Sequence, residues 1–293
     1  MSFKTLLQKV KSQQAVTVAV VNPVKDEIYK ALKEATDSGI CKFLLIGNEK
    51  IIKEQTQKHG IEKFELLRAS TEREAVLSAI QAVKQKQASC LMKGHISTST
   101  LMKEILNSEY GLKGQGLLSH IAIVEKPDGS FLGITDGGLN INPSLKEKIE
   151  IVKNAIFLFH KLGIEKPKVA ILSAVEVVNP AIPSTLDASA LDLMGKREQI
   201  KGAVVEGPLA LDLAVSQKAC ELKDVHSKVT GDADILVVPD IVSGNVLGKA
   251  LIYLAQFPSG GIVIGATVPI ILLSRSDSSR EKFNSILLGV VSS

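Results

Sequence analysis

Tryptophan is absent from the 293 residues, and aromatic side chains of any kind make up only 4% of them. A protein built to hold nucleic acid is expected to cluster its lysines and arginines and to set aromatic rings among them for base stacking. Here the lysines are spread along the chain and the net charge is only +4, so nucleic acid is not an expected partner. Cysteine is scarce too. Cys41, Cys90 and Cys220 are too few and too scattered for a disulfide framework or a zinc site. Two of them fall in apolar, strand-like runs and read as buried thiols, which makes a reducing cytoplasm the expected home. No uninterrupted apolar run approaches about 18 residues, so no membrane-spanning helix is expected. The opening Met-Ser-Phe-Lys-Thr-Leu-Leu lacks the long apolar stretch of a secretory leader.

What remains is ordinary globular composition, 45% hydrophobic and 23% charged, in a chain longer than one core usually serves. The mild positive balance fits small anionic substrates better than a polyanion, although a simply solvated surface accounts for it on composition alone.

The first hundred residues alternate strand-like and helical runs. Strands are expected at 15–21, 41–46 and 88–92. Helices are expected at 25–38, where Ile28, Leu32 and Ala35 share a face before Gly39, at 49–59 before Gly60, and from Thr71, whose hydroxyl with Glu74 makes a capping box. Such alternation implies parallel strands joined by right-handed crossovers. The pattern changes near residue 119. Runs at 119–125 and 131–135 flank Pro127-Asp128-Gly129, a hairpin signal, and a long helix follows Pro143 and ends at Gly163. Three more strand–helix units start at 168, 202 and 235, and a last strand is expected at 261–273 before a final helix. The expected organisation is a first α/β domain from 1–118 and 257–293, with a second α/β domain, 119–256, inserted in it.

Open parallel sheets bind ligands beyond the carboxyl ends of their strands, and each such end here carries polar residues. Two sheets facing each other would set these clusters across one cleft. Lys93-Gly94-His95-Ile96-Ser97-Thr98 leaves a strand and opens a helix. There a glycine lets the backbone approach an anion, Ser97 and Thr98 offer hydroxyls, and Lys93 adds charge. A capped helix with an incidental lysine explains the same residues. Asp136-Gly137-Gly138 suits a tight turn as well as a ligand contact, and the helix start at Gly244-Asn245, with Lys249 one turn on, suits a cap as well as an anion or ribose. The best single site is Ser274-Arg275-Ser276-Asp277, with Glu281 beyond it. A guanidinium can grip phosphate by two parallel bonds, Ser274 adds a donor, and Asp277 or Glu281 supplies a carboxylate.

Taken in order, Leu91-Met92-Lys93-Gly94, Leu118-Ser119-His120, Ile134-Thr135-Asp136, Gly207-Pro208-Leu209-Ala210-Leu211-Asp212, Gly231-Asp232-Ala233-Asp234, Gly244-Asn245 and Ser274-Arg275 resemble the phosphate acetyl/butyryl transferase family, and its butyryl branch above all. The resemblance runs from about residue 91 to the end. It implies two doubly wound α/β domains flanking a cleft, like the isocitrate and isopropylmalate dehydrogenases. It implies transfer of a short, butyryl-like acyl group between coenzyme A and inorganic phosphate, acyl-CoA and phosphate giving acyl phosphate and CoA. No metal or redox cofactor is implied, coenzyme A thioester being a substrate, and a homodimer or higher homo-oligomer is expected. Ser274 and Arg275 match the family's serine–arginine pair at the reaction centre. The family aspartate falls on Glu281, whereas Asp277 belongs to the butyryl version of the motif and is preferred as the base. Glu206 and Gly248 depart from the family's usual aspartate and tyrosine. Transfer of acetyl, a non-catalytic CoA or acyl-phosphate binder of the same fold, and a dehydrogenase stand as alternatives. The last would need a carboxylate cluster for a metal, which the scattered aspartates do not offer.

Overall fold

The structure, a computed structural model, describes residues 1–293 except Gln115, Leu273 and Arg275. Two compact units divide the chain, Met1–Gly116 together with Ser259–Ser293, and Leu117–Pro258. The first opens with α1 (Phe3–Lys11), β1 (Val16–Val21), α2 (Asp26–Ser38), β2 (Cys41–Gly47), α3 (Glu49–His59), β3 (Glu65–Arg68), α4 (Glu72–Lys84), β4 (Cys90–Lys93) and α5 (Thr98–Ile105). The second holds β5 (Ser119–Glu125), β6 (Phe131–Thr135), α6 (Leu145–Leu162), β7 (Lys168–Leu172), α7 (Pro183–Lys196), β8 (Val204–Leu209), α8 (Leu211–Val215), α9 (Gln217–Lys223), β9 (Ile235–Val237) and α10 (Ile241–Lys249), which runs into a turn of π-helix, Ala250–Leu254. The chain returns to the first unit as β10 (Ser259–Ile264), β11 (Ile270–Ile271) and α11 (Ser279–Ser292).

In the first unit the strands lie in the order β3-β2-β1-β4-β11-β10. All neighbours run parallel except β10 against β11. Helix α2 buries the expected Ile28, Leu32 and Ala35 and stops at Gly39, whose φ of 69° closes the last turn at no steric cost. Helix α11 is buried on every side from Lys282 to Ser292, as a helix at the centre of a core must be, and packs on β10, α2 and α1.

Four local features depart from the sequence reading. Helix α1 was not expected; it buries Phe3, Leu6 and Val10 and is started by a Ser2–Thr5 capping box. Strand β3 is an edge strand whose Glu65-Leu66-Leu67-Arg68 shows no alternation of buried and exposed positions, so it left no periodic signal. The strand expected at 261–273 is two short antiparallel strands, because Gly265 at φ 107° turns the chain back; Leu273 lies outside the described residues. The box at Thr71 is also only half as expected. Thr71 accepts from the Glu74 N–H at 3.1 Å, but the Glu74 carboxylate reaches back to the Ser70 N–H at 2.7 Å instead.

The second unit orders its strands β5-β6-β9-β7-β8. β5 and β6 form the antiparallel hairpin and the other neighbours are parallel. Asp128 Oδ1 fixes the hairpin turn by accepting from the N–H and hydroxyl of Ser130. Helix α6 starts at a Ser144–Glu147 capping box and buries Val152, Ile156 and Phe159 against the sheet. A Cβ at Gly133 would stand 2.8 Å from the Phe159 ring, so that strand position must be glycine for the helix to seat. One cluster, including Val124, Leu132, Ile134, Leu172, Leu209 and Leu236, fills the other face. Among the described residues no helix is long and apolar enough to cross a membrane.

Candidate active site

In the first unit the chain winds outward through β1, β2 and β3, then returns to lay β4 on the other side of β1. The order of strands reverses between β1 and β4, and their carboxyl ends are where such a sheet leaves a crevice for a ligand. Gly94 sits there. Its N–H donates to Val21 O at 2.9 Å, the His95 N–H donates to Asn22 O at 2.8 Å, and Asn22 Nδ2 donates back to His95 O at 2.8 Å. A Cβ on Gly94 would lie 2.2 Å from Val21 O. The close approach that requires this glycine is therefore to the neighbouring strand's backbone.

The same crevice contains a cavity of about 140 Å³, lined by Lys25, Glu27, Lys93, Gly94, His95, Ser274 and Lys282 among others. Lys93 ends β4 and is only 5% exposed. Ser97 faces its own helix: it caps α5, accepting from the Thr100 N–H at 3.0 Å and sharing a 2.7 Å bond with the Thr100 hydroxyl. Thr98 is the first residue of α5 and half-buried.

Beyond β11, Ser274 and Asp277 close a tight turn before α11. The Ser274 N–H donates to Asp277 Oδ2 at 2.7 Å, and the two seryl hydroxyls of Ser274 and Ser276 lie 3.0 Å apart. Burial pushes the Asp277 carboxyl above its ordinary pKa; the Ser274 N–H and the charges of Lys282 and Lys93 oppose that rise, and Glu281 adds to it. Glu281 is engaged elsewhere. Its Oε2 accepts from the Ser278 N–H at 2.7 Å to complete a capping box, and its Oε1 accepts from the Ser259 hydroxyl at 3.3 Å. Arg275, expected to hold phosphate, lies outside the described residues.

In the second unit the carboxyl ends of β6 and β9 are neighbours. Asp136 is 2% exposed, and both its oxygens are occupied. Oδ1 accepts from the N–H groups of Gly138 (2.7 Å) and Leu139 (2.9 Å), and Oδ2 from the His120 N–H (3.0 Å) and Asn140 Nδ2 (2.6 Å). The carboxylate braces the turn, as turn chemistry alone would have it. Gly244 and Asn245 come to the same place. A Cβ on Gly244 would stand 2.7 Å from Gly137 Cα, and Asn245 Nδ2 donates to Gly137 O at 3.2 Å. Lys249 is exposed at the end of α10.

Sequence reasoning gave no role to two groups here. His120, beside Asp136, has a buried Nδ1 with no hydrogen-bond partner among the described residues, and burial holds its pKa below the ordinary value against the pull of Asp136. Lys282 is 3% exposed within α11. Its signal was a lysine just before Phe283 in a helix that is apolar or small from Ser285 onward.

The folds and the polar strand ends define an α/β protein of two doubly wound units, with a cavity lined by Lys25, Lys93 and Lys282 at one reversal point. Residues 64–290 match the family model described as "Phosphate acetyl/butaryl transferase". The chain is 41% identical over 293 residues to the phosphate butyryltransferase of Clostridium acetobutylicum, covering 99% of this chain and 97% of that one. It is also 41% identical to the phosphate acetyltransferase of Rickettsia felis, covering 98% of this chain and 83% of that relative. A branched-chain phosphotransacylase from Enterococcus faecalis superposes with a TM-score of 0.83 at 36% identity, over 94% of this chain and 98% of the other. This chain belongs to the phosphate acetyl/butyryl transferase family.

Proposed function

We propose that the protein transfers a short acyl group of butyryl type between coenzyme A and inorganic phosphate. The observation that carries this reading is the cavity at the β1/β4 reversal, which brings Lys93 and Ser274 together beside Asp277, a carboxyl whose pKa is raised by burial. A thiol with an ordinary pKa near 8.5 is mostly protonated at pH 7, so acyl transfer to CoA needs a base. Asp277 takes the thiol proton as the sulfur attacks the carbonyl of acyl phosphate. The Ser274 hydroxyl stabilises the tetrahedral oxyanion. The carbon–oxygen bond to phosphate then breaks, and phosphate leaves held by Lys93 and, from the sequence motif, Arg275. In the opposite direction a phosphate oxygen attacks the thioester, the carbon–sulfur bond breaks, and protonated Asp277 returns its proton to the departing thiolate. Asp277 is preferred to Glu281 because the Glu281 carboxylate is committed to the Ser278 cap and the Ser259 hydroxyl.

No step in this scheme calls on a metal or redox cofactor. A homo-oligomer is supported by exposed apolar side chains on one segment of the second unit, with Val242 68%, Val246 63% and Leu254 84% exposed. Three buried free thiols fit a cytoplasmic setting. Acetyl transfer is the second reading, favoured by the equal identity to an acetyltransferase. Specificity constants for phosphate-dependent thiol release from acetyl-, butyryl- and longer acyl-CoA test both. A maximum at butyryl or its branched isomer supports the proposal, and a maximum at acetyl moves the chain to the sister activity.

A further inference from the structure

Lys282 is a nearly fully buried ammonium that forms no direct ion pair among the described residues. It sits in the first turns of α11 with 3% exposure and lines the cavity at the β1/β4 reversal. It donates to the backbone carbonyl of Asp277, a neutral acceptor, and among the described residues forms no ion pair with a carboxylate. An ammonium has three donors, so two remain uncommitted among the described residues. Burying such a group unpaired is costly, and the chain would be expected to answer with an apolar residue unless an anion completes the site. The cavity has the charge for one. Lys25 and Lys93 join Lys282 in its lining, while the carboxylate that also lines it, Glu27, is already paired with Lys30 at 2.7 Å. Burial holds the Lys282 pKa below its ordinary value, with Asp277, Glu281 and Glu27 pulling it up and Lys25 pulling it down. At about 140 Å³ the cavity suits a single small anion better than a nucleotide.

We propose that Lys282 is a direct ligand of the substrate phosphate, donating its uncommitted ammonium hydrogens to phosphate oxygens in this cavity while its third bond holds the Asp277 carbonyl. The identity of the anion rests on the transferase reading above; the existence of the anion site does not. Because one side chain then touches both the phosphate and the turn that carries Asp277, binding of phosphate and placement of the base are linked through it.

Two variants separate the charge from the carbonyl bond. Lys282→Gln keeps an N–H donor for the Asp277 carbonyl and loses the charge; Lys282→Met loses both. Inorganic phosphate is titrated into each full-length protein by calorimetry, and the rise in melting temperature with phosphate is recorded alongside, a readout that survives general destabilisation. Both variants are expected to bind phosphate about 10- to 100-fold more weakly than wild type, the span of a lost charge-assisted bond. KM for phosphate should rise in step while KM for butyryl-CoA stays within about 2-fold, and Lys282→Arg should recover part of the loss. Phosphate affinity unchanged in Lys282→Gln, with a loss confined to Lys282→Met, would overturn the proposal and leave Lys282 as a carbonyl brace. Wild-type protein that binds phosphate through Lys282 but releases no thiol from any acyl-CoA would support the site and overturn the transferase reading.

Discussion

The Ser274 N–H donates to Asp277 Oδ2 at 2.7 Å, so the hydroxyl proposed for the oxyanion and the carboxylate proposed as base belong to one closed turn. The turn is continued by the Asp277 carbonyl, which accepts from buried Lys282, and by the Ser278–Glu281 box that starts α11.

Asp277→Asn preserves the acceptor for Ser274 and removes the base. Turnover should fall by about 100- to 10,000-fold, the usual range for a general base. The sign on stability runs the other way. Because burial raises the folded pKa of Asp277, the folded state holds its proton to higher pH than the unfolded state does. Ionisation therefore destabilises the wild type as pH rises through that window and beyond it. Relative to wild type, Asp277→Asn should gain melting temperature at pH 7 and lose that gain by pH 3. A variant less stable than wild type at pH 7 would contradict the buried-carboxyl account.

Glu281→Gln distinguishes the two carboxylates. Glutamine serves in a capping box as glutamate does, so the variant should fold and keep turnover within a few-fold. Glu281→Ala should cost about 1 kcal/mol in denaturant unfolding while remaining active. A loss of 100-fold or more in Glu281→Gln would transfer the base to that residue.

Gly94→Ala and Gly244→Ala test why these glycines are glycines. The added methyl would stand 2.2 Å from Val21 O in the first and 2.7 Å from Gly137 Cα in the second, both backbone atoms that cannot swing aside. Each should destabilise by about 1–3 kcal/mol, measured by denaturant unfolding without ligand. An alanine variant as stable as wild type but with weakened phosphate binding would make the glycine a ligand contact instead.

His120 gives a pH dependence from the second unit. Burial depresses its folded pKa, so the unfolded chain takes up a proton below about pH 6.5 that the folded chain resists. Stability is complete above the unfolded value and is lost as pH falls below it. His120→Gln should flatten the stability profile between pH 7 and pH 5. An unchanged profile would mean that other groups carry the acid loss.

Much of this architecture was legible in the sequence because local signals agreed with the fold. Helices α2, α3 and α6 each end at a glycine in the left-handed region, and the β5–β6 hairpin carries its own turn residues. Strand β3 was not legible, since an edge strand with little buried surface need not alternate. The duties of Gly94 and Gly244 were hidden for another reason: each is fixed by a backbone far away in sequence, Val21 and Gly137. Lys282 was hidden similarly. Its spacing within α11 marks it as buried, but only the β1/β4 reversal and the turn at Ser274 reveal what it is buried beside.

Phosphate-dependent release of free thiol from butyryl-CoA, followed with EDTA present and without nicotinamide, is the measurement that bears most directly on the account. Thiol should appear in step with acyl phosphate, saturate with phosphate, and proceed at the same rate with or without the chelator. Thiol release that is independent of phosphate, or activity abolished by EDTA and restored by magnesium, would contradict it.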